Sequence, residues 1–140
     1  MNTFLPYPDF RRSAASLDMK RLGKQRVEAY QILRTLRGEA GGWANHPATR
    51  MWRRHELSLA TYGAAVCAEW LRRGYRDSLL PYFESAVLSL PAAPDGAPPP
   101  WFGREDFHLS HQSNLIRKLP SHYAPLFPGV SPDLPYVWPT

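Results

Sequence analysis

A chain of 140 residues is long enough for one hydrophobic core and short for more than one. Apolar residues make up 44% of it, which excludes global disorder, and no apolar run approaches the roughly 18 residues a membrane span needs. The formal charge is +5 and the pI is near 9.7. Most of the positive charge is arginine, clustered as Arg11-Arg12, Lys20-Arg21, Arg53-Arg54, Arg72-Arg73 and Arg117-Lys118. Guanidinium groups fit phosphate oxygens two at a time, so a polyanionic partner competes with an ordinary basic protein surface.

The single cysteine, Cys67, rules out an intramolecular disulfide. Its alanine and valine neighbours read as helix interior and make it a core thiol rather than a nucleophile. A reducing cytoplasm fits that usage, and Met-Asn-Thr-Phe-Leu-Pro lacks the basic and apolar regions of a secretory signal.

In chain order, residues 1–10 predict an extended arm, because Pro6 and Pro8 prevent a helix. A first helix is expected from Ser13 or Ser16, either a suitable N-cap, to a stop at Gly38. Gly23 within it costs about 1 kcal/mol against alanine. Such a glycine lets another backbone approach, and the arm is one candidate. A loop through Asn45-His46 leads to Pro47, which suits a first helical turn. A second long helix then runs from about Ala48 to Arg73 and ends at Gly74, with Met51, Leu59, Tyr62, Val66 and Trp70 on its apolar face. A third, shorter helix is expected from Asp77 to Leu88. Residues 91–100 are proline-rich and predict a stiff surface loop. A last helix from Arg104 to Leu119 stops at Pro120, and a tail rich in proline and aromatics wraps over the helices. The reading is a compact all-α bundle of three to four helices in a single domain, 1–140, without a strand or an internal repeat.

The most informative stretch is Ser16 to Leu33. Helical spacing puts Arg21, Lys24, Glu28, Gln31 and Thr35 on one face, and Leu22, Ala29, Ile32, Leu33 and Leu36 on the other. One acid among cations is either a surface salt-bridge ladder, with Lys24 and Glu28 paired one turn apart, or a catalytic carboxylate in an anion-binding groove. Other chemistries find less support. His108 and His111 are three apart on the last helix, but no third ligand completes a metal site, so hydrogen-bonding or DNA-contact roles are expected. No glycine-rich phosphate loop and no nucleophile elbow is present. Trp52 and Trp70 read as core aromatics.

The segment Lys20-Arg21-Leu-Gly-Lys24-Gln-Arg-Val-Glu28-Ala-Tyr-Gln31-Ile-Leu33, followed by Asn45-His46-Pro47 and Arg50-Met-Trp52-Arg53, resembles the pyrimidine dimer DNA glycosylase family, also called the endonuclease V or pyrimidine-excision family. The likeness covers Met1 to about Gly74. Ser110 to Tyr123 looks like a variant of the family's C-terminal helix and aromatic tail. The resemblance implies a helical domain with the N-terminal arm against the first helix. It implies a DNA repair enzyme that needs no metal or organic cofactor, acting as a monomer on damaged double-stranded DNA in the cytoplasm, at the nucleoid. In the family, an N-terminal α-amine attacks the sugar C1′ and expels the base, a glutamate assists, and β-elimination nicks the strand (AP lyase activity). That glutamate falls on Glu28. An α-amine is less basic than a lysine amine, so part of it is neutral and nucleophilic near pH 7. A carboxylate beside it can stabilise a developing oxocarbenium ion and move protons. DNA contacts are expected from Lys20, Arg21, Lys24, Gln31, Asn45, His46, Arg50, Arg53, Arg117, Lys118 and His122.

The sequence departs from the family at its start. Residue 2 is Asn where well-known members expose Thr, and Asn disfavours removal of the initiator Met. The amine then belongs to Met1, with Asn2 as the other candidate. If neither serves, Glu28 activates water in a monofunctional glycosylase. A glycosylase for another modified base and a non-catalytic DNA-binding module on the same scaffold are the remaining alternatives.

Overall fold

A computed structural model describes residues 1–93 and 96–139. Among them are seven helices and no strand: α1 (Phe10–Ser16), α2 (Met19–Leu36), α3 (Pro47–Arg50), α4 (Glu56–Arg72), α5 (Leu80–Ser89), α6 (Glu105–Lys118) and α7 (Pro120–Tyr123). The all-α expectation holds, with more segments than the three or four expected. Both long predicted helices are divided, and the tail carries a short helix.

The first division has a long-range cause. Leu17 and Asp18 are extended between α1 and α2, which leaves the last carbonyls of α1 without intrahelical donors. Arg73, just past the end of α4, supplies donors here: its Nη2 donates to Ala15 O of α1 at 3.1 Å and to Leu17 O in the break at 2.7 Å. Tyr123 of α7 secures the other side of the break. Its hydroxyl accepts from Asp18 N–H at 2.8 Å and donates to the Asp18 carboxylate. The second division lies at Met51–His55, where Arg54 takes a left-handed conformation with φ of 68°. A non-glycine residue there cannot continue a helix.

The helix stops follow local rules. Gly38 and Gly74 adopt φ of 77° and 93°. Each begins the double hydrogen-bonded C-terminal closure, with Gly38 N–H to Thr35 O and Glu39 N–H to Arg34 O, and with Gly74 N–H to Leu71 O and Tyr75 N–H to Trp70 O. His46 caps α3 by accepting from Ala48 N–H at 3.0 Å, and Pro47 sits in the first turn. Asp77 accepts from Leu79 and Leu80 N–H and so starts α5 slightly later than its own position.

The core centres on α4, which packs against α1, α2 and α5. Leu22, Ala29, Ile32 and Leu33 from α2 are fully buried with Leu59, Tyr62 and Val66 from α4, as the helical pattern requires. Trp52 is buried and meets Trp101 edge-on at 4.8 Å. Cys67 is a buried free thiol, its pKa pushed up to about 12 by burial and by the charge of Asp77. Two glycines mark tight packing. A Cβ on Gly63 would lie 2.2 Å from the Phe83 ring, an approach the sequence did not suggest. Gly23 faces the Trp70 indole, 3.1 Å from where its Cβ would be, and not the arm. Of the proline-rich loop, residues 94 and 95 lie outside the described residues, and the remainder is non-helical.

Candidate active site

Residues 2–6 are buried, although an extended segment with no neighbouring strand leaves its backbone polar groups without a ladder. Side chains satisfy them one by one. Phe4 N–H donates to Gln25 Oε1 at 2.8 Å, and Gln25 Nε2 donates to Asn2 O at 3.0 Å. The buried Tyr62 hydroxyl lies 2.6 Å from Gln25 Oε1 and 2.9 Å from Phe4 O. Burial, reinforced by the charge of Glu28, raises its pKa well above the usual phenol range, so it stays a neutral donor. Leu5 is held at both ends. Its N–H donates to His111 Nδ1 at 2.9 Å, and His108 Nδ1 lies 2.8 Å from its carbonyl. His108 Nε2 accepts from Gly103 N–H, so its proton resides on Nδ1 and is given to Leu5. Burial lowers the pKa of both imidazoles, that of His111 to about 3. Neutral rings are what this arrangement requires, because a protonated His111 could not accept from Leu5. The two histidines thus position the arm. Gln112 donates to Pro6 O, and Trp52 Nε1 donates to Thr3 Oγ1.

This lashing delivers the chain start to Glu28. The backbone nitrogen of Asn2 donates to Glu28 Oε2 at 3.3 Å, and Gln25 Nε2 donates to the same oxygen at 3.1 Å. The Lys24–Glu28 ladder, one of the two readings of this face, is absent: among the described residues Glu28 makes no ion pair. Around it lies a cavity of about 280 Å³, whose wall includes Met1, Asn2, Lys20, Arg21, Lys24, Glu28, Lys118 and Tyr136. Four cationic side chains therefore surround one carboxylate. Arg21 is aimed by a 3.1 Å ion pair to Asp18, the residue Tyr123 grips. Asn2 is 6% exposed, and its Oδ1 accepts from Thr3 N–H. Nearby, burial and then the N-terminal charge lower the pKa of His46, and Glu28 opposes them. Its Nδ1 accepts from Ala48 N–H, which puts the neutral ring's proton on Nε2.

The predicted residues separate into groups. Met1, Asn2, Lys20, Arg21, Lys24, Glu28 and Lys118 share the cavity. Gln31 lies on an adjoining apolar surface. Arg50 and Arg53 line a separate cleft of about 470 Å³ with Trp138, and Asn45 is exposed in the loop before α3. Arg117 and His122 hold the chain itself: Arg117 Nη1 donates to Leu134 O at 3.0 Å, and His122 Nε2 lies 2.9 Å from Ser16 O. Sequence reasoning missed Gln25, Tyr62 and Tyr136 as parts of the site. Gln25 had a signal, since a polar residue stands there in the buried register between Leu22 and Ala29.

The site therefore sets the buried backbone nitrogen of residue 2 on a carboxylate, in a cavity lined by four cationic side chains on an all-helical scaffold. The family model for pyrimidine dimer DNA glycosylase matches residues 1–80, and the chain belongs to that family. No curated protein and no solved structure matches it.

Proposed function

We propose that the chain removes a damaged pyrimidine, most simply from a pyrimidine dimer in double-stranded DNA, with its N-terminal amine as nucleophile and Glu28 as proton carrier. The observation that carries this reading is the 3.3 Å approach of the residue 2 nitrogen to Glu28 Oε2 inside a cationic cavity. Met1 lines the same cavity. If Met1 is removed, the Asn2 nitrogen becomes the amine and is already on the carboxylate. In either form the amine nitrogen bonds to the sugar C1′. The C1′–N bond to the base breaks, and its electron pair leaves with the base. Glu28 takes the proton the amine sheds, the sugar ring opens, and an imine remains. Loss of a C2′ proton and of the 3′ phosphate then nicks the strand. Lys20, Arg21, Lys24 and Lys118 hold the flanking phosphates. Among the described residues no helix is long and apolar enough to cross a membrane, and the work proposed belongs at the nucleoid.

Borohydride trapping on a duplex with a thymine dimer or an abasic site tests the chemistry. The expected adduct maps to the N-terminal peptide, and its mass tells whether Met1 or Asn2 carries it. Base release with no adduct, lost in Glu28→Gln, would instead assign water as the nucleophile. An adduct on Lys20, Lys24 or Lys118 would move the nucleophile to a lysine.

A further inference from the structure

Among the described residues, Glu28 is hydrogen-bonded through one of its two oxygens. Oε2 accepts from the Asn2 backbone nitrogen and from Gln25 Nε2, whereas Oε1 accepts from nothing. The carboxylate lines the cavity together with Gln25 and the four cations. Its two oxygens therefore stand in different surroundings. Gln25 makes much of that difference. It is 1% exposed and stands one helical turn before Glu28, at a spacing that lets the two side chains meet. Its amide uses all four of its hydrogen-bonding positions. Oε1 accepts from Phe4 N–H at 2.8 Å and lies 2.6 Å from the Tyr62 hydroxyl. Nε2 donates one hydrogen to Asn2 O at 3.0 Å and the other to Glu28 Oε2 at 3.1 Å. These partners also fix which way the amide faces. Phe4 N–H can only donate and the Asn2 carbonyl can only accept, so an inverted amide would lose both. One N–H is committed to Glu28.

Resting on the proposed reaction at Glu28, we infer that Gln25 is a positioning residue that divides the work between the two Glu28 oxygens. It ties Oε2 to the buried arm and leaves Oε1 as the oxygen that moves protons. An oxygen that already accepts two hydrogen bonds is the poorer base of the pair, because each donor stabilises the charge on it. Oε1 has no such donor and takes the proton the nucleophile sheds. Two donors on Oε2 also stop the carboxylate from exchanging its oxygens by rotation, so the reacting oxygen keeps one place in the cavity. The choice of glutamine follows. A glutamate at position 25 would set a second carboxylate against Glu28, and a methionine could neither hold the arm nor donate to Glu28.

The test is a double-mutant cycle on single-turnover base release from a duplex with one cyclobutane thymine dimer. Gln25→Met in the parent chain is expected to slow release by about tenfold or more, with affinity for the duplex unchanged. The same change in the Glu28→Gln protein is expected to slow the residual release by about twofold or less, because the residue acts through Glu28. Gln25→Glu gives a second reading that keeps the length of the side chain and its acceptor for Phe4 N–H. Its acid limb in the pH–rate profile is expected to move up by about one pH unit, as two adjacent carboxylates share a proton. Equal losses with and without Glu28, or an acid limb that stays in place, would overturn the positioning role. Release by the parent chain keeps the two ideas apart. Release with Gln25 variants that match the parent defeats the role of Gln25 alone, whereas absence of release from the parent defeats the glycosylase chemistry and this inference with it.

Discussion

Lys20-Arg21 with Lys24 and Arg72-Arg73 look alike in sequence, as short basic runs near helix ends, yet the fold treats them differently. At the end of α4, Arg72 and Arg73 close on Glu69 at 2.6 and 2.7 Å, and Arg73 also reaches Ala15 O of α1 and Leu17 O just after it. The hydrogen bond from Arg72, with help from Arg73, brings the Glu69 pKa down to about 2. Those charges join helices. At the start of α2, Lys20 and Lys24 have no acid within ion-pair range among the described residues and face a cavity holding Glu28. The two basic runs thus differ in what the fold gives them: Arg72 and Arg73 are both paired with Glu69, whereas only Arg21 of the first run has an acid, Asp18, and Lys20 and Lys24 have none among the described residues.

The comparison can be broken from either end. The largest effect is expected at the carboxylate: Glu28→Gln should reduce base release by about a hundredfold or more, with dimer-duplex affinity retained, as single-turnover assays beside binding titrations would show. A comparable loss of binding would return Glu28 to a purely structural role. Next, Arg73→Ala should cost about 2 kcal/mol of stability, since it strips the α1 carbonyls and half-frees a buried carboxylate. Denaturant titration measures this, and DNA affinity should barely move. Lys20→Ala and Lys24→Ala should do the reverse: unchanged melting, a few-fold weaker binding, and a salt slope lower by about one for each phosphate that is no longer neutralised. If Arg73→Ala weakened DNA binding as much as the lysine changes, the division between the two clusters would fail.

The smallest effect concerns pH. The His111 pKa is lowered from 6.5 to about 3 in the folded chain, and that of His108 shifts the same way. Between those values the unfolded state binds more protons, so this contribution is complete above pH 6.5 and is lost as the pH falls toward 3. Urea midpoints across that range should decline with acid. His111→Asn, which keeps an acceptor for Leu5 N–H, should flatten the decline.

The extended arm, the core stripe of α2, the stops at Gly38 and Gly74 and the turn at His46-Pro47 were legible in the sequence. Each depends on residues within one or two helical turns. The breaks at Leu17–Asp18 and Met51–His55 were not legible. The first is stabilised by Arg73 and Tyr123 from far along the chain, and the second by a left-handed Arg54 that no composition rule predicts. The arm's dependence on His108, His111, Gln25 and Tyr62 was hidden for the same reason: three elements separated in sequence meet at a few backbone residues.

Pattern and charge alone determined that this is a basic, all-helical chain with Glu28 on the polar face of a long helix and with an N-terminal arm that cannot itself be helical. Helical periodicity and proline geometry act locally and need no fold to be read. Only the tertiary structure decided that the nitrogen of residue 2 rests on Glu28, that Lys20, Arg21, Lys24 and Lys118 converge while Arg117 and His122 bind the chain's own carbonyls, and that Gly23 meets Trp70. Those outcomes depend on which buried polar groups find partners across the core, and a linear sequence does not specify that pairing.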